Sequence, residues 1–221
     1  MLERLRNSPA LIAGVYWGAV WGLYEATMGF VVHTFIRVPG ASSVLLVPFA
    51  LYCLRGAMRA GGGLRACGVA ATTAAAIKLV DFCLPALTVL TVANPAVAIL
   101  FEGLAFAVVA RRLGMPSRVP SLPAVAVGAL AFNAIWRVLF LLHYAVVGWV
   151  WSVGMMKDGP QVPLGFLVRD SLICSAVIVG LVALARQRRQ ASSRPLALPS
   201  LRGAVVVLAL AVVAEIAGRL V

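Results

Sequence analysis

The chain predicts an all-α fold: a polytopic helical membrane protein of six to seven transmembrane helices, with its N-terminus in the cytoplasm. Three observations carry that expectation. Long apolar runs recur along the 221 residues, 62% of which are hydrophobic. Only 12% are charged, where an ordinary globular domain carries about a quarter, and the mean hydropathy is +1.01. Five of the seven carboxylates (Glu25, Asp81, Glu102, Asp170 and Glu215) also fall inside the apolar runs. A soluble protein puts its acids on the surface. In a bilayer a buried charge costs at least about 2.5–3.5 kcal/mol, so an acid there marks a functional site.

The first span is expected at residues 9–35. Met1 to Ser8 starts like a signal sequence. The apolar stretch then runs past a signal core, carries Glu25 and lacks a small-residue cleavage site, so it reads as retained, with Arg4 and Arg6 holding its start inside. Span 2 follows at 41–58 and is closed by Gly61, Gly62 and Gly63. Span 3 covers 66–84, with Pro85 as its stop, and a short apolar segment to Asn94 leads into span 4 at 95–110, ended by Arg111 and Arg112. Span 5 lies at 122–150, a loop at 151–163, span 6 at 164–185 and span 7 at 203–220. Most reach the roughly 17–25 residues a bilayer requires, spans 2 and 4 being short. This divides the chain into a six-helix domain (1–186), a basic cytoplasmic linker (187–202) and an additional C-terminal helix (203–221).

Arginine and lysine set the orientation. Thirteen lie at the N-terminus and in the loops after spans 2, 4 and 6, against three (Arg37, Lys157 and Arg219) on the opposite side. The positive-inside rule then puts the N-terminus in the cytoplasm, in what reads as a bacterial cytoplasmic membrane. The net charge of +12 does not point to nucleic acid, because the basic residues sit between spans and no soluble basic face exists.

With that orientation the scattered polar residues gather at one depth. At about 1.5 Å per residue, Glu25 lies roughly 24 Å from the inner end of its span, and Lys78 and Asp81 roughly 18 and 22 Å up theirs. Glu102, Asn133, Arg137, His143, Arg169, Asp170 and His33 all fall between the bilayer centre and the outer face. The nearly balanced charge implies an outward-facing polar cavity for a small solute. Its expected contacts are Glu102, Asn133, Arg137, Arg169 and Asp170, with Glu25 and His33 on the outer rim. Lys78 and Asp81, one turn apart, read as a structural pair, as do Glu215 and Arg219 at i,i+4 spacing.

Gly14, Gly18, Gly22 and Ala26 form a stripe of small residues on span 1, where a helix can approach closely, either inside the chain or from another protein. Trp149 and Trp151 sit where an aromatic belt belongs. Cys53, Cys67, Cys83 and Cys174 have no ligand spacing and read as small buried hydrophobes. No HExxH, GxSxG or phosphate-binding loop is present. His33, His143, Glu25 and Glu102 are too dispersed to define a metal site. No cofactor is expected.

Six spans with the N-terminus inside, the small-residue stripe and the outer loops over a pocket, with the segment Asn94-Pro95-Ala96-Val97-Ala98-Ile99-Leu100-Phe101-Glu102-Gly103, resemble the substrate-binding S component of energy-coupling factor transporters. The resemblance spans residues 9–186 at the level of architecture. It implies binding of a small solute and docking of a membrane coupling subunit on helix 1, at Gly14, Gly18, Gly22 and Ala26. The basic linker and span 7 depart from the six-helix pattern. A membrane enzyme acting on a lipid-linked substrate through Glu102 or His143, and an accessory subunit of a larger complex, are the alternative expectations.

Overall fold

The computed structural model describes residues 8–36, 40–83, 89–151, 159–189 and 199–220. Every regular element among them is helical. The order is α1 (Pro9–Phe35), α2 (Ala41–Ala57), α3 (Gly63–Leu79), α4 (Val89–Arg112), α5 (Leu122–Trp151), α6 (Gln161–Leu164), α7 (Asp170–Arg189) and α8 (Leu201–Leu220). Five helical segments are long and apolar enough to cross a membrane: Ala41–Cys83, Val92–Arg112, Leu122–Val147, Gln161–Arg188 and Leu201–Gly218. The protein is thus an all-helical integral membrane protein.

The chain forms two compact units, one of residues 1–107 and 194–221, the other of residues 108–193. In the first, α1 is central. Ala13, Trp17, Ala19, Trp21, Ala26 and Val32 are all buried on it. Proline suits its first turn, where the missing N–H has no partner to lose, and the Ser8 carbonyl accepts from the amides of Leu11 and Ile12.

The continuous 43-residue segment is a hairpin, not one rod. A non-helical kink within Met58–Gly62, at Ala60 and Gly61, breaks it, and Gly61 (φ 92°) and Gly63 (φ 55°) take up backbone angles that a side chain would oppose. Contacts along α1 give the directions. Tyr24 stacks on Phe49 at 3.8 Å and Trp17 meets Tyr52 edge-on at 5.5 Å, so α2 runs antiparallel to α1. Gly14 faces Val69, Gly18 faces Ala70 and Gly22 faces Ile77, so α3 runs parallel to α1.

That last contact accounts for the small-residue stripe. A Cβ built on Gly14 would come 2.5 Å from Val69 Cβ, one on Gly18 2.4 Å from the Ala70 carbonyl oxygen, and one on Gly22 2.4 Å from Ile77 Cδ1. The partner helix is itself small-faced, burying Ala66, Ala70 and Ala74. In lipid, where apolar burial drives no association, such backbone proximity supplies van der Waals contact instead. Gly14, Gly18 and Gly22 of the stripe are therefore covered within the chain by α3.

α8 packs along α1 and α4 touches α3 where Gly103 meets Ala71. Gly203 lies by Tyr16 at the start of α8 and Glu215 lies by Lys78 further on, so α8 runs parallel to α1 and α3. It is an integral part of this unit.

In the second unit α5 and α7 are antiparallel. Arg137 meets Phe166, Asn133 meets Ser175, and Arg186 meets Pro120. Helix α6 continues into α7 through a π-helical turn, Gly165–Arg169.

One boundary and one cysteine differ from expectation. α4 begins at Val89, six residues before Pro95, and is long enough to span. Proline removes one helical hydrogen bond, which a membrane helix tolerates because the rest of its ladder stays intact. Cys83 is exposed, whereas Cys53, Cys67 and Cys174 are buried thiols as expected.

The α1–α3 contact predicts opposite outcomes for two glycines. Gly18→Ala places a methyl group against backbone and should cost about 1–3 kcal/mol of stability. Gly68→Ala on α3 meets open space and should leave stability unchanged or raise it by up to about 1 kcal/mol. Thermal unfolding followed by circular dichroism in detergent distinguishes them.

Candidate functional site

The polar residues expected in one layer fall into two groups, one in each unit. Glu25, Lys78, Asp81, Glu102 and Glu215 belong to the first, and Asn133, Arg137, Arg169 and Asp170 to the second.

In the first group, Lys78 ends α3, Asp81 follows in the 3₁₀ turn Val80–Cys83, and Glu215 comes from α8. All three are buried, at 8%, 1% and 2% exposure. Lys78 Nζ donates to both carboxylate oxygens of Glu215, at 2.8 and 3.0 Å. Asp81 lies close enough to Glu215 for the two carboxylates to interact electrostatically. Glu25 accepts a hydrogen bond from Trp21 Nε1 at 3.2 Å, one turn below it on α1, and lies within the fields of Lys78 and Glu215. Glu102, on α4, is 7% exposed.

This pairing joins Glu215 to a partner that its spacing from Arg219 did not suggest. A surface i,i+4 pair contributes only about 0.2–0.5 kcal/mol, whereas a desolvated ammonium must find a strong partner. Packing of α8 on α1 brings Glu215 to Lys78, and a two-oxygen contact across helices forms. The Arg219 side chain lies outside the described residues.

In the second group, Asn133 is fully buried. Its Nδ2 donates to the Ala129 carbonyl at 2.9 Å and to Ser175 Oγ at 3.0 Å, and its Oδ1 accepts from Trp136 Nε1 at 3.4 Å. Both of its N–H groups are spent on the protein, so Asn133 joins α5 to α7 rather than offering donors to a solute. That corrects its expected role.

Arg137 is equally buried, at 0% exposure. Its guanidinium carbon stands 4.5 Å from the ring centre of Trp136 and 4.5 Å from that of Phe166, two cation–π contacts that replace part of its lost hydration. Its Nη1 donates to the Phe166 carbonyl at 3.1 Å. The π-helical turn prepares that acceptor: the Asp170 amide reaches back to Gly165, one residue further than in an α-helix, and does not serve Phe166. Arg169 Nε donates to Asp170 Oδ1 at 2.8 Å, its side chain 55% exposed and that of Asp170 6%. Phe140 packs on Trp136, Phe166, His143 and Tyr144.

No protein-family model, curated protein or solved structure matches this chain. The site must be read from its own chemistry. The first group holds four acids against one ammonium; the second holds two guanidinium groups against one acid. Among the described residues no three of His, Cys, Asp and Glu converge as metal ligands. The side chains of His33, Trp149 and Trp151, and the residues Arg37 and Lys157, lie outside what is described.

Sequence reasoning missed Trp136, Phe166 and the serines. The i,i+4 spacing of Ser171 and Ser175, matching that of Asn133 and Arg137, was a usable signal. The π-helical turn leaves no pattern in the sequence.

The Lys78–Glu215 contact gives a double-mutant test. Lys78→Met alone leaves buried acids without their cation and should cost about 3–5 kcal/mol, and Lys78→Met with Glu215→Leu should recover most of it. Denaturation of each variant in detergent measures the coupling.

Proposed function

We propose that this chain is a membrane transport protein that binds a small polar or charged solute, as the substrate-binding subunit of a multi-subunit uptake system. Seven crossings fit the helices: α1, the two arms of the α2–α3 hairpin, α4, α5, α6–α7 and α8. The parallel course of α3 and α8 supports this number, since it requires an odd count of crossings between them. The arginine distribution supports a cytoplasmic N-terminus.

The observation that carries the reading is Arg137, a fully buried guanidinium packed against two aromatic rings, Trp136 and Phe166, that meet each other edge to face. Intramembrane arginine is costly and marks solute or ion paths. A planar fork of five donors suits a carboxylate or phosphate. We assign Arg137 to the solute's anionic group, with Asp170 and Arg169 beside it. The likeness to S components stays part of this proposal at the level of architecture. A coupling subunit would dock elsewhere than the stripe of α1, which α3 covers.

A thermal-shift screen of purified protein against amino acids, carboxylates and phosphorylated vitamins tests the reading. At least one solute should raise the melting temperature. Arg137→Gln should weaken its binding by about 10–150-fold, the equivalent of losing a charged hydrogen bond of about 1.5–3 kcal/mol, while Arg137→Lys retains the fold. No stabilisation by any solute, or undiminished binding to Arg137→Gln, would overturn it. For the orientation, Ser117→Cys in a cysteine-free background should react with impermeant maleimide only from inside, and Gln161→Cys only from outside.

A further inference from the structure

The second unit is strongly basic, with nine Lys and Arg residues against two acids, Asp158 and Asp170, and no acid occurs anywhere from residue 103 to residue 157. Five of those arginines meet at one end. Arg111 and Arg112 close α4, Arg118 lies on the connection to α5, and Arg186 and Arg188 close α7. Arg186 Nη2 donates to the Pro120 carbonyl, tying the end of α7 to the connection. The connection itself is well fixed. The Met115 amide donates to Ala110 and that of Arg118 to Gly114, the stem of Arg118 lies over Gly114, and Ser121 Oγ accepts from the Ala124 amide as α5 begins. Arg111, Arg112, Arg118 and Arg188 are exposed. Asp170 is sixteen residues from Arg186, roughly 24 Å along α7, too distant to neutralise the group.

Between Arg118 and Pro120 stands Val119, 82% exposed, and Leu122 is 37% exposed at the start of α5. An apolar residue held outward among arginines, at the end of membrane-crossing helices, fits neither a soluble anion nor plain solvation. It fits a ligand with a phosphate at headgroup level and hydrocarbon below it.

We propose that this end of the second unit is a docking site for anionic phospholipid. Arg111, Arg112 and Arg118 engage the headgroup phosphate through their planar forks, Arg188 adds charge, and Val119 enters the acyl boundary. Basic groups between helix ends on the cytoplasmic side hold anionic headgroups in this way. The inner leaflet is implied by the orientation proposed above. The lipid contact itself is independent of it.

The test uses the full chain in nanodiscs of phosphatidylcholine mixed with phosphatidylglycerol, with lipids retained after mild delipidation counted by native mass spectrometry. Phosphatidylglycerol should be enriched over its bulk fraction. Arg111→Gln/Arg112→Gln/Arg118→Gln should lower the enrichment by at least about tenfold, at about 1 kcal/mol per basic residue; Arg118→Gln alone should give a partial loss. Arg59→Gln/Arg65→Gln, neutralising exposed arginines of the first unit, should retain it. Wild-type enrichment in the triple variant overturns the site, as does equal loss in both variants. Displacement by inorganic phosphate at tens of millimolar overturns the choice of lipid. Nanodiscs carry the same lipids on both faces, so this result stands apart from the cysteine-labelling result on orientation.

Discussion

The approach of α1 to α3 along Gly14, Gly18 and Gly22 is the contact on which the first unit depends. With no side chain on those three positions, two backbones come within van der Waals distance, and the register of α3 against α1 is set. That register carries Lys78 and Asp81 to the level of Glu25. It also leaves another face of α1 open to α8, which delivers Glu215. A stripe that contains no chemistry thereby positions every charge in the cluster.

Bilayer chemistry then selects among the possible pairs. A surface lysine accepts any nearby acid for a few tenths of a kcal/mol, but a desolvated one gains far more from a fixed, two-oxygen contact. Lys78 meets Glu215, 137 residues away in sequence, with Asp81 alongside. The same rule acts in the second unit by other means. Arg137 packs against the rings of Trp136 and Phe166 and takes a backbone carbonyl that the π-helical turn has withheld from its own helix. One unit stabilises buried charge with carboxylates, the other with rings and backbone.

Two neighbouring polar residues on α5 therefore have different uses. Asn133 is consumed by Ala129, Ser175 and Trp136 and holds the helices together. Arg137, one turn on, packs its guanidinium against Trp136 and Phe166 and donates to the Phe166 carbonyl.

The amino-acid sequence by itself determined the class, the helices and their approximate limits, because apolar runs, glycine turns and terminal arginines are local signals tied to bilayer thickness. It located the buried charges and the stripe on α1 as well. It placed the start of α4 too late, since Pro95 read as a boundary and an intact helical ladder on either side absorbs it. Pairing was decided only by tertiary structure. That Glu215 meets Lys78 depends on which helix lies beside α8, and helix adjacency has no local signature. Whether Asn133 binds a solute or a serine depends on the register of α5 against α7, which the π-helical turn at Gly165–Arg169 adjusts. Local propensity fixes what each segment becomes; the cost of desolvating charge fixes which segments must meet.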